Sequence, residues 1–329
     1  MSDSRPDAAD AGDPDVVIVG AGPAGLSAGL NLVRARHSVL LVDTNRPRHA
    51  PTLHSHGMLG LDGIPPLELR RLGREQFLAY PGAAHLTGRV ASVSADLTVS
   101  ITGVRGGPDR ELRPRAVLVA TGLSERLPQV QNLRAYYGTA LHSCIECDGY
   151  EKAGLPLALI GQTSDLAARA LEIAHWSPDL VVFTNGAPVV TAAEERMLAD
   201  AGIRIERDDI DEIAGERAVM TGVRLSSGRI VTRSAGFVRP DWLPQVDFLV
   251  TTDASRDSTG RIVVDRGFRT DVRGLYAAGD VTAREPMQIA VAAGEGAVVA
   301  RSIHLDLLGA SVGGQLAGPP DFRDGSLIG

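Results

Sequence analysis

One glycine-rich turn restricts the fold of this chain more than any other stretch of its sequence. Residues 16–19 are a short β-branched run, residues 20–25 read Gly-Ala-Gly-Pro-Ala-Gly, and a second apolar run at 38–42 ends at Asp43. A buried strand, a G-x-G-x-x-G turn, a helix and a second strand ending in an acid make up a dinucleotide-binding βαβ unit. The chain is therefore predicted to be an α/β protein that binds a dinucleotide at a helix N-terminus.

The positions in this turn have separate tasks. The first glycine permits the tight turn, the second lets backbone N–H groups approach a pyrophosphate, and the third lets the helix and strand pack closely. The acid accepts hydrogen bonds from an adenosine ribose. We therefore expect dinucleotide contacts at Gly20, Gly22, Pro23, Ala24, Gly25 and Asp43.

A second βαβ unit, at residues 156–183, has a damaged version of the same fingerprint. Gly161 stands at the first glycine position, but Thr163 and Leu166 occupy the second and third. Side chains at these positions obstruct a pyrophosphate and separate the helix from the strand. The following strand ends in Thr-Asn-Gly (184–186) rather than in an acid. We therefore expect this unit to have kept its fold without a working nicotinamide site.

The two cysteines of the chain, Cys144 and Cys147, form a single C-x-x-C motif. Such a pair can close into a disulfide within one turn, whereas a zinc site needs about four ligands. Because the sequence has no second C-x-x-C and no H-x-x-x-H, the pair is predicted to be redox-active, and no metal is expected. Thiolates are the reactive form, so an adjacent base helps. Asp148 is the first candidate and His142 the second.

Composition limits the kinds of partner that this protein can bind and indicates where in the cell it is found. Among 329 residues the formal net charge is −7 and no Lys/Arg run occurs, which argues against a general nucleic-acid binder. Residues 1–14 lack the basic start and apolar run of a signal peptide, and glycines and a proline interrupt the longest apolar stretch, 16–33. We expect a soluble, cytoplasmic protein that does not enter a membrane, with a disordered tail at 1–14 and a flexible one at 309–329.

Four short motifs occur along the chain in an order that one family shares. They are GAGPAG at 20–25, ATG at 120–122, CIECDG at 144–149 and GLYAAGD at 274–280. With them the chain resembles the low-molecular-weight thioredoxin reductase family over residues 15–308. The resemblance implies a homodimer and two Rossmann-like, three-layer ββα domains, the second inserted in the first. It implies an FAD-binding domain at 15–123 and 248–308, and an inserted domain at 124–247 with the C-x-x-C motif and a degenerate NADPH site.

The resemblance also assigns roles to single residues. Cys147 matches the flavin-facing cysteine, Cys144 the cysteine that exchanges with substrate, and Asp148 the proton donor and acceptor. The loop at 46–66 is expected to lie over the cofactor. In addition to the glycine turn, the expected FAD contacts are His56, Gly57, Val90, Ala120, Thr121, Gly122, Gly279, Asp280, Gln288 and Ile289.

The chain departs from the reductases in its lost nicotinamide fingerprint and in Met287-Gln288-Ile289-Ala290, where they carry Arg-Gln-Ala at the start of the last helix. The lost nicotinamide site, the CIECDGYE form of the redox motif and the strand that ends in FTNG look more like the branch of dithiol oxidases that close disulfides in gliotoxin, holomycin and related natural products. This implies that electrons pass from a small dithiol through Cys144 and Cys147 to FAD and then to O2, giving H2O2 without NADPH. Several members of that branch have His at the position of Asp148, where this chain keeps the reductase-like acid.

Two other functions are compatible with the same residues. A thioredoxin-disulfide reductase fed by ferredoxin or another donor explains the lost nicotinamide site equally well. A non-catalytic flavin redox sensor would bind FAD without turnover at the cysteine pair. Oxygen uptake and flavin reduction in the presence of a small dithiol separate these functions.

Overall fold

The structure is a computed structural model, and the chain divides into two compact units. The residues that it describes are 12–48, 50–103, 109–217, 219–249 and 251–309. The first unit comprises residues 1–47, 68–123 and 244–329, and the second comprises residues 48–67 and 124–243. Of the two predicted tails, residues 1–11 and 310–329 lie outside the described residues.

A seven-stranded sheet forms the centre of the first unit. The elements of this unit are β1 (Val16–Val19), α1 (Pro23–Arg34), β2 (Val39–Asp43), α2 (Pro66–Leu78), β3 (Ala83–Val93), β4 (Val99–Gly103), β5 (Arg110–Leu112), β6 (Ala116–Val119), β17 (Leu275–Ala277) and α7 (Ile289–Leu307). The strand order is β17-β6-β1-β2-β3-β4-β5. The strands are parallel from β17 to β3, and β4 and β5 continue the sheet in antiparallel pairs.

The strand β1 lies in the interior of this sheet. Ile18 pairs with Leu41 on β2 and with Leu118 on β6, and all three side chains are fully buried. Continuous apolar strands of this kind are typical of a parallel sheet that is covered on both faces. The helices α1 and α7 pack closely, and the Ser27 hydroxyl donates to the carbonyl oxygen of Ala293 at 2.7 Å. Because β17, β6 and β1 are parallel neighbours, their carboxyl ends share one edge of the sheet. A doubly wound sheet binds its ligand at this edge.

The second unit contains a five-stranded parallel sheet and two smaller sheets. Its elements are β7 (Leu123–Arg126), α3 (Leu133–Tyr136), β8 (Leu141–His142), α4 (Ile145–Asp148), β9 (Leu157–Gly161), α5 (Leu166–Ile173), β10 (Leu180–Phe183), α6 (Ala192–Asp200), β11 (Arg204–Glu206), β12 (Ile210–Glu216), β13 (Val219–Leu225), β14 (Ile230–Thr232), β15 (Ala235–Arg239) and β16 (Asp241–Pro244). The parallel sheet has the order β11-β10-β9-β15-β8. The strands β12, β13 and β14 form an antiparallel sheet, and β16 pairs with β7.

The short edge strand β8 positions the redox motif. Leu141 and His142 pair with Gly236 and Phe237 of β15, and the motif begins two residues after β8 ends. Pairing with β15 fixes the backbone on the N-terminal side of the motif. A one-turn 3₁₀ helix, Tyr150–Lys152, follows it.

The structure has the predicted α/β architecture, with two differences. The apolar run Gly-Arg-Ile-Val-Val at 260–264 predicts a strand. This prediction is wrong, because the segment makes only isolated bridges at Ile262 and follows a tight turn in which the N–H of Gly260 donates to the carbonyl oxygen of Asp257. The loop at 48–67 groups with the second unit rather than with the FAD-binding domain, and the chain returns to the first unit at 244 rather than at 248.

Two observations about the described ranges concern membranes and metals. No helix within them is long and apolar enough to cross a bilayer. Nor do three or more His, Cys, Asp or Glu side chains of these ranges cluster as ligands for a metal ion.

Candidate active site

The glycine-rich turn lies between the carboxyl end of β1 and the N-terminus of α1. Gly20 has a φ of +109°, and a Cβ there would lie 2.4 Å from the carbonyl oxygen of Ala120, so only glycine fits this close approach. Gly22 is the N-cap of α1, and Pro23 is its first residue. A Cβ at Gly22 would meet nothing within 4 Å. Open space at a helix N-terminus, where N–H groups lack helical partners, suits an anion.

The carboxylate of Asp43 is held against this turn. Its Oδ1 accepts from the N–H of Ala21 at 3.0 Å, and its Oδ2 accepts from the N–H of Asn45 at 2.7 Å. The buried Arg70 of α2 donates from Nη2 to Oδ2 at 2.6 Å and from Nε to the carbonyl oxygen of Ala21 at 3.2 Å. Arg70 therefore fixes both the acid and the turn, a role that no sequence motif indicates.

Further predicted FAD contacts follow the neighbouring strands. Ala120, Thr121 and Gly122 come after β6, and Gly279 and Asp280 come after β17. Because β6 and β17 are adjacent and parallel, these residues lie at the same sheet edge. The Oγ1 of Thr121 is buried and has no hydrogen-bond partner among the described residues. An orphaned buried hydroxyl at this edge is consistent with a ligand that supplies the missing partner.

A buried glutamate on α7 holds the loop after β17. The Oε2 of Glu295 accepts from the N–H of Gly279 at 2.7 Å. Burial raises the pKa of Glu295, and the charge of Asp280 adds to the rise, while the Gly279 hydrogen bond and Arg284 oppose it. Glu295 lies in the middle of a helix, so no motif marks it.

The three remaining predicted contacts of this unit occupy different environments. Gln288 is the N-cap of α7, and Ile289 is the first residue of this 19-residue helix. The N-terminus of such a helix favours a group that gains negative charge. Val90 lies on β3, and its side chain is part of the apolar core of the unit.

The two cysteines form a disulfide. Cys144 follows β8 and is the N-cap of α4, Cys147 lies within α4, and their sulfurs are 2.04 Å apart. The N–H of Cys147 donates to the Sγ of Cys144 at 3.1 Å. The same hydrogen bond stabilises a thiolate at Cys144 once the disulfide opens. It therefore favours Cys144 as a leaving thiolate in an exchange reaction.

The two candidate bases are in direct contact and share a third partner. The Oδ1 of Asp148 lies 3.0 Å from the Nδ1 of His142, and both residues are only 9% exposed. The same Nδ1 lies 2.7 Å from the Nζ of Lys152, which is 5% exposed. Burial lowers the pKa of Lys152, whereas Asp148 and Glu151 raise it. Sequence reasoning missed Lys152, although it is the only lysine of the chain and lies five residues after Cys147.

A second polar network holds the residue before Cys144. The hydroxyls of Tyr137 and Ser143 donate to opposite oxygens of Glu125, at 2.7 Å and 2.9 Å, and lie 2.8 Å from each other. Burial and the charge of Glu125 raise the pKa of Tyr137, which keeps its hydroxyl protonated. Because Ser143 precedes Cys144 in the chain, this network fixes the backbone that carries the reactive sulfur.

The predicted contacts His56 and Gly57 belong to the second unit. The Nε2 of His56 lies 3.5 Å from Glu151, and its Nδ1 lies 3.5 Å from Asp62. The N–H of Gly57 donates to Asp62 at 2.9 Å. The loop therefore contacts the 3₁₀ helix after the redox motif. A role for these two residues at a cofactor stays a prediction.

Comparison with known proteins identifies the family. Residues 14–296 match the family model described as pyridine nucleotide-disulphide oxidoreductase. The chain belongs to this family. An FAD-binding oxidoreductase that acts on thiols or disulfides agrees with the open glycine turn in one unit and the cysteine pair in the other.

The similar proteins include thioredoxin reductases. The thioredoxin reductase of Listeria monocytogenes is 27% identical over 304 residues, which are 88% of this chain and 92% of that protein. Thioredoxin reductase sirT of Leptosphaeria maculans is 28% identical over 317 residues, 91% of this chain and 95% of that protein. The crystal structure of HlmI matches with a TM-score of 0.83 and 33% identity, over 91% of this chain and 93% of that one. The predicted thioredoxin reductase-like fold and family are thus confirmed.

The first unit of this oxidoreductase fits an FAD. Two observations support this fit, namely the open space at Gly22 and the buried hydroxyl of Thr121 that has no hydrogen-bond partner among the described residues. The turn at 20–25 and the N-terminus of α1 would hold the pyrophosphate, and Asp43 the adenosine ribose. Asp280 would face the ribityl chain, and the N-terminus of α7 would face the end of the flavin that gains charge on reduction.

The corresponding turn of the second unit is occupied by protein side chains. The Oδ1 of Asp165 accepts from the hydroxyl of Thr163 at 2.7 Å, and its Oδ2 lies 2.5 Å from Nη2 of Arg239. A Cβ at Gly161 would lie 2.7 Å from the Cδ1 of Leu166, so this leucine fills the space beside the turn. The turn therefore differs from its counterpart at Gly22, where a Cβ would meet nothing.

A cleft of about 140 Å³ lies beside this second turn, lined in part by Arg126, Gln162 and Arg239. Arg126 pairs with Asp241 at 2.9 Å, and Arg239 pairs with an acid as described above, so both positive charges are compensated. At the expected place of a ribose-binding acid, the Oδ1 of Asn185 accepts from a backbone N–H at 2.8 Å and serves the fold.

Proposed function

We propose that this protein is an FAD-dependent dithiol oxidase that closes an intramolecular disulfide in a small-molecule dithiol, with O2 as the final electron acceptor and H2O2 as the product. The observation that carries the proposal is a closed C-x-x-C disulfide in a unit whose nucleotide turn is filled by its own side chains. A substrate of the dithiolopyrrolone or epidithiodiketopiperazine type would place the enzyme in antibiotic biosynthesis and in self-resistance of the producer.

The filled turn supports an electron source other than NADPH. A pyrophosphate needs backbone N–H groups that it can approach without meeting a side chain. In the first unit Gly22 satisfies this need. In the second unit Thr163 stands at the corresponding position of the turn, and its hydroxyl donates a hydrogen bond to Asp165. The ion pair between Asp165 and Arg239 also lies at this turn. In the proposed oxidase, electrons would then enter through the cysteine pair, and a dithiol is the natural donor.

Substrate oxidation would take two thiol–disulfide exchanges. In the first, a substrate thiolate attacks the Sγ of Cys144, forms a mixed disulfide and releases Cys147 as a thiolate. In the second, the other substrate thiolate attacks the substrate sulfur of that mixed disulfide, closes the substrate's own disulfide and expels Cys144 as a thiolate. Two electrons have then moved to the cysteine pair, and two protons have left the substrate.

Residues around the motif serve these two steps. The N–H of Cys147 stabilises the Cys144 thiolate that leaves in the second exchange. The hydrogen-bonded pair of His142 and Asp148 can take up a substrate proton, because the carboxylate stabilises an imidazolium at 3.0 Å. FAD bound in the first unit would take the electron pair from the reduced cysteines and pass it to O2.

Anaerobic mixing with dithiothreitol, and then with the dithiol forms of holomycin and gliotoxin, tests the proposal. We expect the dithiol to bleach the flavin absorbance, and we expect one O2 consumed and one H2O2 formed per dithiol in air. Cys144→Ser and Cys147→Ser should abolish both signals, whereas Asp241→Asn, which changes an exposed ion pair, should not. NADPH should leave the flavin oxidised, and rapid bleaching by NADPH would contradict the interpretation of the second turn.

Failure to reduce the flavin with any dithiol would refute the oxidase. In that case reduction by ferredoxin, followed by electron transfer to thioredoxin, would favour the reductase, and a flavin that no partner reduces would favour the sensor. We further propose that the enzyme works in the cytoplasm as a homodimer, as its resemblance to thioredoxin reductases implies. Light scattering on the purified holoprotein measures its molar mass and so distinguishes a monomer from a dimer.

A further inference from the structure

A single ring nitrogen in the redox unit faces two groups with opposite demands. The Nδ1 of His142 lies 2.7 Å from the ammonium nitrogen of Lys152 and 3.0 Å from the carboxylate of Asp148. A protonated lysine only donates hydrogen bonds, so it requires a lone pair on Nδ1. An ionised aspartate only accepts them, so it requires a proton on Nδ1. One nitrogen cannot satisfy both at once.

The other ring nitrogen shows why this conflict matters. The Nε2 of His142 is buried and lacks a hydrogen-bond partner within the described part of the chain. In a neutral imidazole, a proton on Nδ1 leaves a lone pair on Nε2, and a lone pair on Nδ1 places the proton on Nε2. The partner that prevails at Nδ1 therefore decides whether Nε2 is a base or an acid.

We propose that Lys152 is the positioning residue that sets the tautomer of His142. When Lys152 is an ammonium, it donates to Nδ1, and Nε2 carries the ring proton and cannot act as a base. When Lys152 loses its proton to solvent, the ring proton moves to Nδ1 and is donated to Asp148. Nε2 then has a lone pair that can accept a proton from a thiol. One proton leaves the cluster in this change, and no electron moves.

The groups around Lys152 have opposing effects on the protonation of its amine. Asp148 and Glu151 face the amine and favour its protonated form, and the ring of Phe237 lies 5.9 Å from Nζ, where it also favours a cation. Burial of Nζ opposes all three and lowers the pKa of Lys152 from its usual value of 10.5. His142 is on β8, Asp148 on α4, Phe237 on β15 and Lys152 on the 3₁₀ helix, so four elements meet at this cluster.

Nuclear magnetic resonance on the oxidised holoprotein tests the inference without any substrate. Because Lys152 is the only lysine, [¹⁵N]lysine labelling gives a single Nζ resonance whose titration reports this residue directly. In a [¹⁵N]histidine sample, with His142 assigned through His142→Gln, we expect Nδ1 to change from unprotonated to protonated at the pH where Nζ loses its proton. A ring that keeps one tautomer across the Nζ titration, or an Nζ that stays charged up to pH 10.5, overturns the inference.

The kinetic test rests on the proposed dithiol oxidation, and two variants should change it in opposite directions. Lys152→Met leaves Asp148 as the partner of Nδ1, so Nε2 has its lone pair wherever the ring is neutral, without a lysine first losing its proton. The flavin reduction rate should then be about tenfold above wild type one pH unit below the wild-type midpoint. Lys152→Arg keeps a permanent donor in place, so the rate should stay low across the pH range. Equal losses in both variants with an unchanged pH profile would instead indicate a purely structural lysine.

The two measurements separate the inference from the proposed function. A coupled change of Nζ and Nδ1 in a protein that no dithiol reduces would leave the tautomer assignment standing and refute the oxidase. Dithiol turnover with a fixed tautomer would do the reverse. If Lys152→Arg does not fold, the wild-type resonances alone decide the inference.

Discussion

Replacing Asp148 with Asn removes one negative charge beside His142 while it preserves the size of the side chain. The lost contact joins Oδ1 to Nδ1 at 3.0 Å in a site where both residues are 9% exposed. Coulomb's law with an effective dielectric constant of about 20 puts the attraction between an imidazolium and this carboxylate at about 5 kcal/mol. Desolvation offsets much of that, and hydrogen bonds to charged groups contribute about 1.5–3 kcal/mol net. We therefore expect the rate of flavin reduction to fall by about 10- to 150-fold.

Stopped-flow absorbance under anaerobic conditions, with saturating dithiol, measures this rate for Asp148→Asn. The substrate should still bind, because the change acts on proton transfer and not on the sulfur that is attacked. Asp241→Asn is the matched control, since it removes a carboxylate from an exposed pair, which is worth about 0–1 kcal/mol. A rate within threefold of wild type would refute the role of the His142–Asp148 pair. A melting temperature that falls only in Asp148→Asn would show that the loss is structural.

Three further predictions concern the first unit. Gly22→Ala should weaken FAD binding roughly tenfold or more in a flavin titration, because its Cβ enters the open space at the turn. The free energy of unfolding of the apoprotein, measured in urea, should change by no more than about 0.5 kcal/mol, because φ at Gly22 is −78°, which any residue adopts. Arg70→Met should destabilise the fold by about 3 kcal/mol in a urea titration, because it leaves the carboxylate of Asp43 without its buried ion partner. For Glu295, whose pKa is raised in the fold above 4.5, the native state holds its proton to higher pH than the unfolded chain, so the free energy of unfolding falls as pH rises through the raised pKa. Glu295→Gln should remove that loss, and a fall of the same slope in the variant would contradict the assignment.

Local pattern predicted the elements around the first turn well. The apolar runs at 16–19 and 38–42 predicted β1 and β2 to within one residue, because each strand buries a continuous apolar stretch. The apolar pattern from about Leu26 to Arg34 predicts α1, which begins three residues earlier, at Pro23. The expected strand at 260–264 was wrong for a reason outside the local pattern. Ile262 is fully buried, as in a strand, but the turn closed by Gly260 leaves it with isolated bridges instead of a ladder.

The candidate site was only partly predictable from the sequence. Cys144, Cys147 and Asp148 lie within one motif, so their proximity follows from spacing. That His142 contacts Asp148 depends on how β8 ends, and the contact of Lys152 with the same nitrogen depends on the 3₁₀ helix that follows. Arg70 and Glu295 lie far along the chain from the groups that they hold, so only the tertiary fold reveals their roles. The tertiary fold alone likewise shows that the loop at 48–67 belongs to the second unit.

The short span of the disulfide has a consequence for how the enzyme can be reused. Cys144 and Cys147 are separated by 3 positions in the sequence, so the bond closes a very small loop. In the chain-entropy model such a loop restricts the unfolded state by about 2 kcal/mol, against about 5 kcal/mol for a loop of about 100 residues. Redox state and folding are therefore less strongly coupled here than they would be through a bond that spans a long loop. Each opening of the bond changes the fold's stability by about 2 kcal/mol, less than half of the change for a loop of about 100 residues.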